Sequence, residues 1–213
     1  MSNDRVITFE IVRELVHGYR AKDDKTGFEK FIKCEYNGSD KTLWGCGYLL
    51  NQVLRQISVQ DDHKLVSKAA QELWDQIAPV ETEQENKGIN DFYYHEKLTA
   101  SKPGAEIYEY KGSNKNPNQD SPRRLEKGST FIFRDVFHVE HIVPISMIID
   151  RLVELDEQGL LTDEEINNTL NLIYVCRITK QEDRSIKEKY NRSLDVDEVL
   201  EKVYKARGII VEK

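Results

Sequence analysis

Residues 137 to 145 read FHVEHIVPI. Three groups capable of chemistry, His138, Glu140 and His141, fall within four positions, in a chain with five histidines in all. Imidazole beside carboxylate can hold a divalent cation. A neutral imidazole with a pKa near 7 can also take a proton from water. If TFIFRDVFHV is a strand, its side chains alternate, so Arg134, His138 and Glu140 share one face. Phe133, Phe137 and Val139 then take the other, as core material. His141 joins Glu140 only if the strand ends about there. Pro144 suits such an end, since it lacks an amide donor and holds Val143 extended. Alone, the cluster reads better as the hydrophilic end of a half-exposed strand.

The segment NTLNLIYVCRITKQEDRSI changes that balance. It offers Asn171 at the mouth of an apolar strand, followed by a helix start. Thr179-x-x-Glu182 is a capping-box pattern, with Thr179 at the N-cap and Glu182 three residues on. Glu182 is then engaged by the helix start, and Asp183 beside it is the carboxylate able to point elsewhere. Strand, loop, strand and helix would bring Glu140, His141, Asn171 and Asp183 to one spot.

On EHIVP, the NL of NLIYV and the helix beginning at TKQED, the chain resembles the HNH endonucleases with their ββα-metal motif, over about residues 130 to 190. The resemblance implies that His141 is the general base, that Glu140 binds a divalent cation and that Asn171 fixes the loop and orients His141. The third residue of the family signature, usually His or Asn, has no counterpart between Thr179 and Tyr190. Asp183 is the candidate there, with Gln181 and Glu182 behind it. His138 is an extra ligand or a support for the scissile phosphate. The implied reaction is phosphodiester hydrolysis in double-stranded DNA with Mg²⁺ or Mn²⁺, and a restriction or phage-defence role is one option. Arg134, Arg177 and Arg184 could add positive charge near the phosphate. A catalytically silent DNA-binding module of the same fold, and a metal-dependent hydrolase of another substrate, are the alternatives.

The elements that must position these residues suggest an α+β chain: a helical region over 1–80, then a mixed α/β region over 81–213 containing the ββα-metal core. VITFEIVRELVHGY and DDHKLVSKAAQELWDQI have helical spacing, as does the shorter GFEKFIKCEY. In KTLWGCGYLLNQVLRQI, Gly45 and Gly47 point to close helix packing. His17 and His63 read as surface residues and His95 as a packing residue among aromatics. ETEQENKG reads as a linker, and DFYYHEKL, AEIYEYKG and STFIFRDVFHVEHIV as strands. Downstream, the expected order is helix over ISMIIDRLVELDEQG, helix over TDEEINNTL, strand over NLIYVCR, then two helices. The first 80 residues would serve DNA recognition or dimerisation.

Net charge is −7, which disfavours nucleic-acid binding through bulk positive charge. Basic residues nevertheless flank the histidine cluster. Lys111, Lys115, Arg123, Arg124 and Lys127 lie in the loop KGSNKNPNQDSPRRLEKG before it, and Arg123, Arg124 and Lys127 are the candidate DNA contacts. Three widely spaced cysteines give no disulfide framework or zinc knuckle. Without a signal-like N-terminus or a long apolar run, the expectation is a cytoplasmic protein with no membrane contact.

Overall fold

The computed structural model describes residues 8–21, 46–55, 57, 61–85, 87–92, 95–108, 122–186 and 193–212. Phe9–Ala21 forms α1, which buries Val12, Leu15 and Val16 along one stripe at helical spacing. Cys46–Arg55 forms α2. The close packing expected of its glycines is present at Gly47, where a Cβ would stand 2.7 Å from the Tyr19 ring. Gly45 and the helix expected over GFEKFIKCEY lie outside the described residues.

DDHKLVSKAAQELWDQI is not one helix. It is a 3₁₀ turn (Asp61–His63), the strand β1 (Lys64–Ser67) and the helix α3 (Lys68–Ile77). The cause is tertiary: Lys64, Leu65 and Val66 pair in parallel with Val175, Cys176 and Arg177, far along the chain. Such pairing overrides local helical preference. Ser67 then caps α3, its hydroxyl accepting the Ala70 N–H at 3.1 Å. The helix stops at Ala78, in left-handed conformation with φ 39°. His63 is not a surface residue of a helix. Its ring stacks on Tyr174, centroids 3.8 Å apart.

The segment expected as a linker begins in a helix, α4 (Val80–Glu85), where Glu81 accepts the Thr99 N–H at 2.9 Å. Four short strands follow: β2 (Lys97–Thr99), β3 (Ala105–Tyr108), β4 (Pro122–Leu125) and β5 (Thr130–Ile132). They form two antiparallel pairs, β2 with β5 and β3 with β4. STFIFRDVFHVEHIV is likewise broken. After β5 comes a helical turn, α5 (Phe133–Val136), and then β6 (Phe137–His141). The turn carries Phe133 and Phe137 into one core with rings 5.1 Å apart, and it removes Arg134 from the alternation of His138 and Glu140.

Beyond β6 lie α6 (Ile145–Glu157), α7 (Asp163–Leu170, N-capped by Thr162), β7 (Val175–Thr179) and α8 (Lys180–Ser185). Val196–Val199 forms α9 and runs on into a π turn over Leu200–Tyr204 and a 3₁₀ turn over Lys205–Arg207. Gly208 closes it in left-handed conformation, φ 74°, ahead of β8 (Val211–Glu212).

These elements belong to an α+β chain with two compact units, interleaved along the sequence in place of a division near residue 80. The first unit draws on Met1–Val59, Val143–Ile173 and Arg192–Asp195. Within it α1, α2, α6 and α7 pack together, and the buried Asp156 receives His17 Nδ1 and Arg20 Nε, each at 2.7 Å. The second unit draws on Gln60–Ile142, Tyr174–Asn191 and Val196–Lys213 and is built on a four-stranded sheet in the order β6-β7-β1-β8. On one sheet face Val66, Phe137 and Val139 pack with Trp74, Phe92 and Phe133. On the other, Leu65, Cys176 and Ile178 pack with Ile186, Val199, Val203 and Ile209. Among the described residues no helix is long and apolar enough to cross a membrane.

Candidate metal centre

The geometry starts from the pairing of β6 with β7. They are antiparallel, with His138 opposite Ile178 and Glu140 opposite Cys176. Residues directly opposite one another share a face. His138 and Glu140 therefore stand on the face carrying Cys176 and Ile178, at the edge of the sheet. α8 leaves β7 without a loop and packs against both strands.

The capping box expected from the sequence forms at the start of α8. Thr179 Oγ1 accepts the Glu182 N–H at 3.1 Å, and Glu182 Oε2 accepts the Thr179 N–H at 2.8 Å. With Glu182 held there, Asp183 reaches the face of β6. His138 Nε2 lies 3.0 Å from Glu140 Oε2 and 3.8 Å from Asp183 Oδ1. One ligand atom from each of the three lies within 4.8 Å of the others, the one such group among the described residues.

Oxygens of Glu140 and Asp183 within 4.8 Å of each other come near the spread of two ligands on one small hard cation. With metal–oxygen bonds of about 2.1 Å in octahedral geometry, adjacent ligand atoms stand roughly 3.0 Å apart and opposite ones about 4.2 Å. His138 itself is better placed to hold Glu140 than to bind metal. Its Nδ1 is buried with no hydrogen-bond partner. The proton of the neutral ring is accordingly best carried on Nε2, donated to Glu140. Ligation through Nε2 would move that proton to Nδ1, where no acceptor meets it, whereas metal-bound imidazoles ordinarily donate from their second nitrogen.

Electrostatics around the group are mixed. Burial first, then the carboxylates of Glu182 and Glu140, pushes the Cys176 thiol pKa up, so it stays neutral beneath the site. Lys180 opens α8, and burial lowers its pKa against the opposing pull of Asp183 and Asp135. Sequence reasoning misses this ammonium beside Asp183. A signal for it exists, since Lys180 and Asp183 are three apart at a capped helix start.

The remaining expected site residues are dispersed. β6 ends at His141, about where expected, but His141 is still paired opposite Val175 and lies on the sheet face of Val139. It is outside the three-residue group. Arg177 is opposite Val139, 8% exposed, and donates to the Asn90 carbonyl at 3.1 Å. That corrects its expected place at the phosphate, since a guanidinium spent inside the core cannot reach a nucleic-acid backbone. Burial also lowers its pKa. Arg134 sits on α5 with Nη1 2.9 Å from Nδ1 of His95, which is exposed. Arg184 follows Asp183 on α8, half-buried. Arg123 and Arg124 are on β4, a strand and not a loop, and Lys127 is exposed in the turn after it. Residues 109–121 of that basic stretch lie outside the described residues. Asn171 is the exposed C-cap of α7 in the first unit, four residues before β7 begins.

Set against known proteins, the chain matches no family model, no curated protein and no solved structure.

Proposed function

We propose that the second unit is a metal-dependent phosphodiester hydrolase of the ββα type, acting on double-stranded DNA. The observation that carries this reading is the convergence of Glu140, His138 and Asp183 where an antiparallel strand pair meets the helix that follows it. Glu140 and Asp183 would hold a Mg²⁺ or Mn²⁺, and His138 would hold Glu140. The cation would supply positive charge for the phosphate and the leaving oxygen. Lys180 stands beside Asp183, where it would lessen the repulsion between carboxylates and a phosphate. His141 follows Glu140 at the end of β6, and the resemblance gives it the role of general base.

The test is nicking of supercoiled plasmid with Mg²⁺ or Mn²⁺, with and without chelator. His141→Ala should lose roughly 10²–10⁴-fold in rate, as for removal of a general base, while binding Mn²⁺ like the wild type. Near-wild-type nicking by His141→Ala would remove it from the mechanism. Metal binding by the wild type without nicking would favour a silent binding module, and no metal binding at all would sink the site.

A further inference from the structure

We infer that Ser67 is a positioning residue for the cation site, an inference that rests on the reading of Glu140 and Asp183 as ligands. Nothing in the local sequence of Ser67 points to it. Its hydroxyl lies at the end of β1 and is fully buried. It accepts the Ala70 N–H at 3.1 Å and sits 2.7 Å from Glu182 Oε2. A serine hydroxyl has one proton and two lone pairs: one lone pair accepts from Ala70, and the proton is donated to the Glu182 carboxylate. The same Oε2 accepts the Thr179 N–H at 2.8 Å. One hydroxyl therefore joins the caps of two helices, α3 and α8.

The join bears on a short helix. None of the six residues of α8 is fully buried. A helix this short is not stable alone. Ile186, just past its end, is its apolar anchor, while the start is held by the polar pair of Thr179 and Glu182. Asp183 is the next residue after Glu182. Its separation from Glu140 thus depends on where Glu182 is held, and Ser67 fixes Glu182 to a strand outside the β6–β7–α8 segment. Ser67 thus acts one step beyond an outer-shell partner, which hydrogen-bonds a ligand directly: it holds the residue that precedes the ligand.

Calorimetric titration of Mn²⁺ into the full chain tests this. Ser67→Ala and Ser67→Gly both remove the hydroxyl, and glycine is itself a tolerated N-cap, so it guards against simple failure of α3. Both should weaken Mn²⁺ affinity, by up to roughly the 10–100-fold that losing a partner bonded directly to a ligand costs, and Ser67→Thr should restore much of it. Thr162→Ala, which removes the cap of α7 in the first unit, serves as the control. It should lower stability and leave Mn²⁺ affinity unchanged. Wild-type Mn²⁺ affinity in both Ser67→Gly and Ser67→Ala overturns the inference alone. A wild-type protein that takes up no Mn²⁺ overturns the underlying site reading, and this inference with it.

Discussion

Asp183 and Glu182 are neighbours with opposite assignments, and that makes them separable. Asp183→Ala should lose Mn²⁺ binding and cleavage together, while Asp183→Asn, which introduces the residue usual in the HNH endonucleases that the sequence resembles, should keep part of both. Glu182→Ala should cost about 0.5–2 kcal/mol of stability through the missing cap and weaken Mn²⁺ affinity at least as much as Ser67→Ala, which acts through the same carboxylate, without abolishing it. Calorimetry on the three variants decides the assignment. If Glu182→Ala abolishes binding and Asp183→Ala does not, the two roles are exchanged. Cys176 gives a second expectation. Its pKa is raised in the fold, so above a free thiol's usual value of about 8.5 the unfolded chain releases a proton that the folded chain keeps. Stability from this group is complete below that pH and declines as pH rises past it. Denaturant titrations at pH 8 and pH 10 should show wild type losing more than Cys176→Ala between the two. Equal losses would mean that the thiol ionises as readily in the fold as out of it. Much of the residue-level site is legible in the sequence. Glu140 and Asp183 can be picked out because capping and side-chain alternation are local rules. His138 is legible by the same alternation, which sets it on the face of Glu140; what alternation alone does not reveal is that His141, paired opposite Val175, stays on the other face.

The elements divide along the same line. α1 and the start of α8 follow from short-range pattern, an apolar stripe and a capping box. β1 does not: KLVS lies inside a stretch with helical spacing and becomes a strand only because β7 and β8 pair with it. The helical turn at Phe133–Val136 is hidden for a related reason, since alternating aromatics there suit either period. Ser67 is invisible for the strongest version of it, its partner Glu182 lying 115 residues away. α3 yields a prediction at this scale. Ala78 ends it at φ 39°, a conformation that costs a residue with a Cβ roughly 1–2 kcal/mol and suits glycine. Ala78→Gly should therefore raise stability by about 1 kcal/mol net of glycine's greater freedom when unfolded. Thermal unfolding of the variant is the measurement, and a fall in midpoint would mean that the alanine methyl contributes more by packing than its backbone loses.

For the whole molecule, net acidity and a DNA substrate are compatible only if the surface that meets the duplex is locally basic. Arg123 and Arg124 on β4 and Lys127 in the turn beyond are the residues to change. Replacing all three with Gln should weaken duplex binding and flatten its salt dependence by about 0.9 in log–log slope for each phosphate that the protein no longer neutralises. An unaltered slope would make them ordinary solvated charges. The interleaving of the two units has a consequence of another kind, for the order in which the protein can fold. β6 and β7 are separated in the chain by Val143–Ile173, which belongs to the other unit. β1, made early, has its sheet partners at Val175–Thr179 and Val211–Glu212. Distant pairings of this kind close slowly, and on a growing chain β1 stays an unpaired strand edge, open to wrong partners, until β7 emerges. Glu140 and Asp183 cannot meet before α8 has followed. The candidate site therefore cannot form strand by strand as the chain is made; it comes together only when β7 and α8 have followed and the sheet has closed.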